Sequence, residues 1–103
     1  MRKLKRNISF QQLETVAIVL KAISHPVRLE ILEILEVEEP MSVSAIREQL
    51  STEVEQSMLS HHLIKLKDKG ILSSEKEGKK IYYRIQDRQI LKIFDCMEKC
   101  SFM

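Results

Sequence analysis

The sequence predicts an α+β domain that is mostly helical, with five helices and a two- to three-stranded hairpin. Apolar residues recur at three- and four-residue spacing along most of the 103 residues, which is the period of a helix face. The chain has only 2 Gly and 2 Pro, which leaves little loop, and its 5% aromatic content is low for a β-sandwich core. Two strand-like runs, 71–76 and 81–85, flank a glycine-containing turn at 77–80 and predict a β-hairpin.

The chain is interpreted as one domain, residues 1–103, and not as an enzyme. A chain of 103 residues buries roughly two-thirds of its unfolded surface, which makes a core but leaves no room for a large active site. The sequence shows no nucleophile–base set, no glycine-rich phosphate loop and no convergent carboxylate pair. Its 44% hydrophobic and 31% charged residues are typical of a folded globular protein.

The first helix follows a basic arm. Residues 1–8 are expected to be flexible, and their cations are either simply solvated or a supplementary contact to phosphate. Ser9 and Gln12 have the spacing of a capping box, which starts a helix at 10–23. Apolar side chains cover most of the circumference of this helix, more than the single stripe of a surface helix. We therefore expect it to pack on the core with one side and on a second copy of the chain with the other.

Local capping signals place the second and third helices. Ser24 is predicted to cap a helix at 26–37, which has a proline in its first turn where the missing N–H costs nothing. Residues 41–43 are expected to form a single strand rung that pairs with the hairpin. Ser44 is predicted to cap a third helix at 45–50.

The fourth helix, at about residues 55–69, has the clearest division between an apolar and a polar face. Leu59, Leu63 and Leu66 recur at three- and four-residue spacing and therefore share one side. Gly70 is predicted to end the helix, because glycine adopts a positive φ without steric cost. The opposite side of the helix is polar.

This polar face and the basic hairpin together predict a winged helix-turn-helix that binds double-stranded DNA. The helix at 55–69 is expected to enter the major groove, while the wing at 71–85 lies on the phosphate backbone. The expected contacts to base edges come from Gln56, Ser57, Ser60 and His61, and those to phosphate from Lys65, Lys76, Lys79, Lys80 and Arg84. The alternatives are an ordinary solvated helix face and a hairpin whose cations protect an edge strand.

Charge is unevenly distributed along the chain. The formal net charge is only +2, yet residues 57–84 carry seven Lys or Arg against three acidic residues. Residues 28–56 carry eight Glu against two Arg. Positive charge is therefore concentrated on the predicted recognition helix and wing, as a surface that binds nucleic acid requires.

The histidines are assigned different roles. His61 and His62 are adjacent, so they point about 100° apart on a helix and do not suit one metal ion. His61 is on the groove side. His62 lies beside Leu59 and Leu66 and is expected to be partly buried and hydrogen-bonded. His25 is assigned to the start of the second helix.

Two cysteines lie on the last predicted helix, from Asp87 to Cys100. Cys96 and Cys100 are four residues apart, which places them on one face but makes a mutual disulfide awkward. If two copies pair through this helix, the thiolates of both could hold zinc or another thiophilic ion. Oxidation or persulfide formation is a second possibility. The simplest interpretation is that they are small apolar side chains near a helix end, with no cofactor.

With these segments assigned, the chain resembles the arsenic-repressor-type (ArsR/SmtB) family of bacterial winged-helix repressors. Residues 20–35 resemble the second-helix signature of that family, including its Pro-x-Arg-Leu core at 26–29. QSMLSHHLIKLKDKGIL, at 56–72, resembles its recognition helix, and SEKEGKKIYYRI, at 74–85, resembles its wing. The three segments are specific in combination, and the similarity extends over about residues 10–100.

The resemblance implies a homodimer, joined through its first and last helices, that binds an imperfect palindrome and represses transcription until an inducer binds. Two familiar metal sites of the family are missing in their usual form. The third helix contains no cysteine, and no histidine follows His62, so the last helix offers only carboxylates such as Asp87, Asp95 and Glu98 beside its thiols.

The sequence is also compatible with two other functions. The fold also suits a protein-docking or dimerisation module that never touches DNA, and the thiols suit a small metal-binding protein. No run of 18 apolar residues and no secretory signal is recognisable. We therefore expect no membrane association and a cytoplasmic protein.

Overall fold

The computed structural model describes residues 5–100. Its helices are α1 (Phe10–Ile23), α2 (Pro26–Val37), α3 (Val43–Gln49), α4 (Gln56–Asp68) and α5 (Lys92–Glu98), the last preceded by a 3₁₀ turn at Arg88–Leu91. Its strands are β1 (Met41–Ser42), β2 (Leu72–Glu77) and β3 (Lys80–Ile85). Part of the predicted basic arm, residues 1–4, lies outside the described residues, and residues 5–8 are exposed and without regular secondary structure.

Helix α1 has the predicted bounds and the predicted capping box. The Ser9 side chain accepts a hydrogen bond from the Gln12 amide at 3.1 Å, and the Gln12 side chain accepts one from the Ser9 amide at 2.8 Å. The expectation that one whole side of α1 packs on the core is wrong. Only its last turn is buried, through Ala22 and Ile23 with Val19 beside them, because the earlier turns extend past the rest of the domain.

Two predicted helix caps are wrong by one or two residues. His25, not Ser24, caps α2, and its Nδ1 accepts a hydrogen bond from the Val27 amide at 3.1 Å. Ser42, not Ser44, caps α3, and its hydroxyl accepts from the Ala45 amide at 3.2 Å. Several residues near each boundary carry suitable acceptors, and the path of the backbone selects among them.

Helix α4 begins and ends within one residue of the predicted bounds, and Gly70 ends it as predicted. Gly70 has a φ of 76°, its amide donates to Lys67 O at 2.9 Å, and the Ile71 amide donates to Leu66 O at 3.0 Å. This pair of hydrogen bonds is a Schellman motif, in which a residue with positive φ satisfies the last carbonyls of a helix. Leu66 and Ile71, both buried, lie on the two sides of the motif and direct the chain into β2.

The three strands form an antiparallel sheet in the order β1-β3-β2. The predicted pairing of residues 41–43 with the hairpin is confirmed for two residues, since Met41 pairs with Tyr83 and Ser42 with Tyr82, whereas Val43 already belongs to α3. Strands β2 and β3 pair from Leu72–Ile85 to Glu77–Lys80, so only two residues connect them. Gly78 has a φ of 61°, and no other described residue of this connection has a positive φ, which matches a type II′ hairpin turn.

The core lies between α2, α3, α4 and the sheet. Its largest fully buried side chains are Ile23, Ile31, Leu32, Leu35, Ile46, Leu59, Leu63, Leu66 and Leu72. These residues include the three leucines that define the apolar face of α4. The core therefore fixes which side of α4 points to solvent.

The last helix differs from the prediction in its first turn and in its length. Asp87 caps it as expected, accepting at Oδ1 from the Gln89 amide at 2.9 Å, but the first turn is 3₁₀ and the α-helical part ends at Glu98. Only Leu91 of this segment is buried, while Phe94 and Met97 are half-buried. The segment therefore packs weakly on its own protomer.

The carboxylate of Glu39 connects strand β3 to the 3₁₀ turn that follows it. Glu39 accepts a hydrogen bond from the Ile85 amide at 3.0 Å and pairs with Arg88 at 3.1 Å. Arg88 also donates to Glu36 O at 3.0 Å. These contacts hold β3 and the 3₁₀ turn against the end of α2.

Candidate nucleic-acid interface

The solvent face of α4 carries the residues predicted to read bases. Gln56, Ser57, His61 and Lys65 are exposed and Ser60 is half-buried, whereas the leucines on the other side are fully buried. The residue that caps the helix at its start, Glu55, forms no side-chain hydrogen bond with the first turn. The amides of that turn therefore remain available to a phosphate group, for which the positive end of a helix is suited.

The wing places its cations on two faces. Paired residues of an antiparallel sheet share a face, and so do residues two apart along a strand. Lys76 pairs with Ile81, which shares a face with Tyr83 two residues further along β3. Lys76 is therefore on the sheet face whose Tyr83 is buried in the core. Lys80 and Arg84 lie on the other face. The wing therefore does not present its predicted cations as one surface, although all are exposed.

The two elements meet in a groove of about 320 Å³ between the start of α4 and the tip of the wing. Its walls bring Gln56 and Ser60 together with Lys79 and Lys80. Hydrogen-bonding groups suited to base edges and cations suited to phosphate are thus neighbours here. Of the nine residues predicted to contact DNA, these four converge on one groove, and Ser57, His61, Lys65, Lys76 and Arg84 lie outside its lining.

Two further residues lie on this surface that were not among the predicted contacts. Ser44 was predicted to cap a helix, but Ser42 takes that role, so Ser44 is exposed and lines the groove, with its hydroxyl 3.3 Å from that of Ser42. Ile64 is seven residues after Ser57 and lies at the centre of the exposed face with 48% of its surface accessible. Helical spacing places Ile64 on this face, but an apolar side chain carries no hydrogen-bonding signal for contact with base edges.

A network around His62 anchors α4 to α2. Arg28 Nε donates to His62 Nδ1 at 3.0 Å, and Arg28 Nη1 donates to Ala22 O at 2.9 Å. The His25 ring lies 4.4 Å from the His62 ring, centroid to centroid. The prediction that His62 is buried and hydrogen-bonded is confirmed. Burial lowers the pKa of His62, and the neighbouring His25, Arg28 and His61 lower it further.

The turn between α3 and α4 is held by contacts from outside it. Arg47 Nε donates to Val54 O at 2.7 Å, and the Ser51 amide donates to Glu30 Oε1 at 3.0 Å. The Ser51 hydroxyl donates to the second oxygen of the same carboxylate. The six residues between the helices are therefore fixed against α2 and α3, which sets the direction of the recognition helix.

The two cysteines lie at the end of α5. Cys96 is exposed and Cys100 is half-buried, and both are free thiols. Burial raises the pKa of Cys100, and the hydrogen bond with Cys96 and the neighbouring Cys96 charge add to the effect. Within residues 5–100, no group of three or more His, Cys, Asp or Glu side chains is placed to hold a metal ion.

Comparison with known proteins identifies the family. A protein-family profile described as a helix-turn-helix domain matches residues 23–75. An uncharacterised HTH-type transcriptional regulator of Methanocaldococcus jannaschii is 38% identical over 88 residues, covering 82% of this chain and 97% of that protein. The transcriptional repressor PagR of Bacillus anthracis is 34% identical over 83 residues, covering 81% of both chains.

Solved structures agree. The crystal structure of PagR superposes with a TM-score of 0.73 at 31% identity, covering 86% of this chain and 99% of that chain. A homodimeric winged helix-turn-helix DNA-binding domain from Mycobacterium bovis, described as a possible ArsR-family regulator, superposes with a TM-score of 0.71 at 28% identity, covering 94% and 87%. The chain belongs to the ArsR/SmtB family of winged helix-turn-helix transcriptional regulators. The family assignment and fold class predicted from the sequence are thus confirmed.

For an ArsR/SmtB protein, the surface described above corresponds to the elements that define the fold, a recognition helix and a wing. Proteins of this kind are transcriptional regulators that bind DNA. Among the described residues, no helix is both long and apolar enough to cross a membrane.

Proposed function

We propose that this ArsR/SmtB protein is a homodimeric repressor that binds an imperfect palindromic operator in the cytoplasm. One observation carries the proposal: the groove that places Gln56 and Ser60 of α4 beside Lys79 and Lys80 of the wing tip. In this arrangement α4 reads bases in the major groove and the wing binds the adjacent backbone. Ser57, His61 and Ile64 extend the reading face, and Lys65, Lys76 and Arg84 add flanking phosphate contacts.

The dimer contact is proposed to involve α1 and α5. The first three turns of α1 expose large apolar side chains, and α5 leaves Phe94 and Met97 half-buried beside an apolar groove that Val27 and Leu29 of α2 also line. Of the exposed apolar side chains of α1, Phe10, Leu13, Val16 and Leu20 share the face assigned to this contact, whereas Ile18 lies on the other side of the helix. An apolar surface of this extent is typical of a face that packs on another chain.

The proposal is tested by measuring how affinity for duplex DNA changes with salt. We expect Lys79→Gln and Lys80→Gln each to lower the slope of log affinity against log salt by about 0.9, since each removes one phosphate contact. Lys92→Gln, a matched exposed lysine on α5, should leave the slope unchanged. Gln56→Ala should instead reduce discrimination between operator and unrelated DNA, by about 1–3 kcal/mol if it makes a bidentate base contact.

The same experiment addresses the docking module, in which the fold never touches DNA. Under that alternative, duplex binding would be absent, or it would show a flat salt response that none of the four variants alters. Either result would refute the repressor proposal.

Cys96 and Cys100 are proposed as the sensing site, with zinc or another thiophilic metal shared between two protomers. Two thiols per chain fall short of the four ligands of a structural zinc site, so both protomers must contribute. The raised pKa of Cys100 favours the protonated thiol, which a bound metal would have to deprotonate. Elemental analysis with a free-thiol titration tests this: one zinc per dimer, lost in Cys96→Ser/Cys100→Ser, supports the site, and free thiols without metal refute it.

A further inference from the structure

A second groove lies on the side of α4 away from the wing. It has a volume of about 400 Å³ and lies between three helices: α1 contributes Ile18, Lys21 and Ala22, α2 contributes Arg28, and α4 contributes Lys65, with Lys69 from the cap that follows it. Only Lys65 belongs to the residues proposed to bind DNA. The groove therefore joins the helix proposed to form the dimer contact to the helix proposed to read DNA.

The charge of this groove is uniformly positive. Four of its six lining residues are cations and none is acidic. Arg28 is half-buried, and its two described hydrogen bonds go to neutral acceptors, His62 Nδ1 and Ala22 O. Within residues 5–100 no carboxylate pairs with Arg28. A guanidinium has five N–H donors, so most of its hydrogen-bonding capacity is available to a ligand.

The remainder of the groove is apolar. Ala22 is 7% exposed and forms part of the base, and Ile18 is 54% exposed and forms part of the wall. The aliphatic stems of the lysines add further carbon surface. A concave site of a few hundred Å³ with apolar walls and a few convergent polar groups is typical of small-molecule binding.

We propose that this groove binds a small amphipathic anion. Its acidic head, a carboxylate or phosphate, pairs with Arg28, Lys21 and Lys69, because charge-assisted hydrogen bonds to guanidinium and ammonium groups are the strong ones. Its apolar body covers Ile18 and Ala22. The groove would thus serve as an effector site distinct from the thiols.

Occupation of the groove would be coupled to DNA binding through α1 and α4, a step that rests on the proposed function. A ligand that bridges the two helices changes DNA affinity only if it binds the free and the DNA-bound forms with different affinity. By linkage, DNA would then change ligand affinity by the same factor.

The binding step is tested without DNA, so its failure is distinguishable from failure of the repressor proposal. Decanoate, below its micellar concentration, is titrated into the protein and followed by amide chemical shifts and calorimetry. We expect one site per chain, with shifts confined to residues around Ile18, Ala22 and Lys69. Lys21→Gln and Lys69→Gln should each weaken binding about tenfold, since each removes a charge-assisted hydrogen bond. Lys79→Gln, a matched loss of charge on the wing, should have no effect.

Three results would overturn the proposal. If decanol bound as tightly as decanoate, the cations would play no part in binding. Inorganic phosphate binding as tightly as decanoate would show an adventitious anion site without the apolar component. If decanoate failed to bind, the effector site would be refuted, and a lower salt slope of DNA binding in Lys69→Gln would then show that the groove is a phosphate contact for DNA.

Discussion

His62 shows how a single side chain joins the recognition helix to the rest of the domain. It is on the buried side of α4, yet it is polar, and its Nδ1 accepts from an arginine 34 residues earlier. That hydrogen bond requires Nδ1 to be unprotonated, in agreement with a lowered pKa. The position of His62 on the helix predicted its burial, but any of several donors could have been its partner, so only the structure assigns Arg28.

The stability of the protein is predicted to fall as pH decreases through the ordinary histidine range. The folded-state pKa of His62 lies below its ordinary 6.5, so the unfolded chain takes up its proton first. The contribution of His62 is therefore complete above its ordinary pKa and is lost between that value and the folded-state pKa. Urea unfolding at a series of pH values between about 7.5 and 5.5, which span the ordinary histidine range, measures the effect.

Two variants separate His62 from other titrating groups. In His62→Gln the amide oxygen still accepts from Arg28 but does not titrate, so we expect a flatter dependence of unfolding free energy on pH. His61→Gln, at the adjacent exposed position, should retain the dependence. An equal slope in His62→Gln and the unchanged protein would contradict this assignment.

Ile64 is predicted to contribute to DNA affinity through apolar contact. Ile64→Ala should weaken operator binding by about 1 kcal/mol, since part of an isoleucine side chain is no longer buried against the DNA. The salt slope should not change, because no charge is removed. Fluorescence anisotropy at several salt concentrations measures both quantities, and an unchanged affinity would show that α4 enters the groove in another orientation.

At the scale of elements, two glycines determine the path of the chain around the wing. One precedes β2, and the other lies in the turn between β2 and β3. Gly70 reverses the chain after α4 and Gly78 forms the tip of the hairpin, and both have a positive φ. A Cβ atom at either position would meet no atom within 4 Å, so the requirement for glycine is conformational and not steric. The hairpin tip in turn sets where Lys79 and Lys80 lie.

Substitution of Gly78 is predicted to cost stability according to backbone preference. Gly78→Val should lower the free energy of unfolding by about 1–2 kcal/mol, because a positive φ is strained for a residue with a branched Cβ. Gly78→Asn should cost less, since asparagine adopts this conformation more readily. Denaturant unfolding of both variants tests the order, and equal losses would mean that the turn changes type to accommodate valine.

At the scale of the whole molecule, the described chain is more extended than its length requires. The Cα radius of gyration is 15.6 Å, against about 13 Å for a compact domain of this size. The excess agrees with α1, whose first three turns extend from the core and expose apolar side chains. Burying this helix against a second copy would remove that surface from water, which is the physical basis of the proposed dimer.

Val16→Glu is predicted to give a folded monomer. Val16 is 52% exposed within the protomer, so the substitution should leave the core intact while it introduces a charge into the proposed dimer contact. Val37→Glu is the matched control, because Val37 is 88% exposed at the end of α2. Sedimentation at micromolar concentration should show a monomer for Val16→Glu and a dimer for Val37→Glu. If both variants remained dimeric, the contact would lie elsewhere.

The sequence predictions are accurate where a feature depends on residues close together in the chain, and less accurate where it depends on distant ones. The capping box at Ser9, the bounds of α4 to within one residue and the turns at Gly70 and Gly78 depend on residues within a few positions, and all are confirmed. The caps of α2 and α3 were misplaced because neighbouring side chains offered equivalent acceptors. The opposed faces of Lys76 and Lys80 depend on strand register, which the turn and the core determine together.

The sequence by itself determined the order of helices and strands, the apolar face of α4, the cationic wing and the family, because each is written in local spacing or in contiguous motifs. Only the tertiary structure decided which of the predicted DNA-binding residues share a groove, that Arg28 holds His62, and that α1 leaves most of its apolar surface exposed. Those features depend on contacts between segments far apart in the chain. They result from the combined free energy of many weak contacts, which no single stretch of sequence specifies.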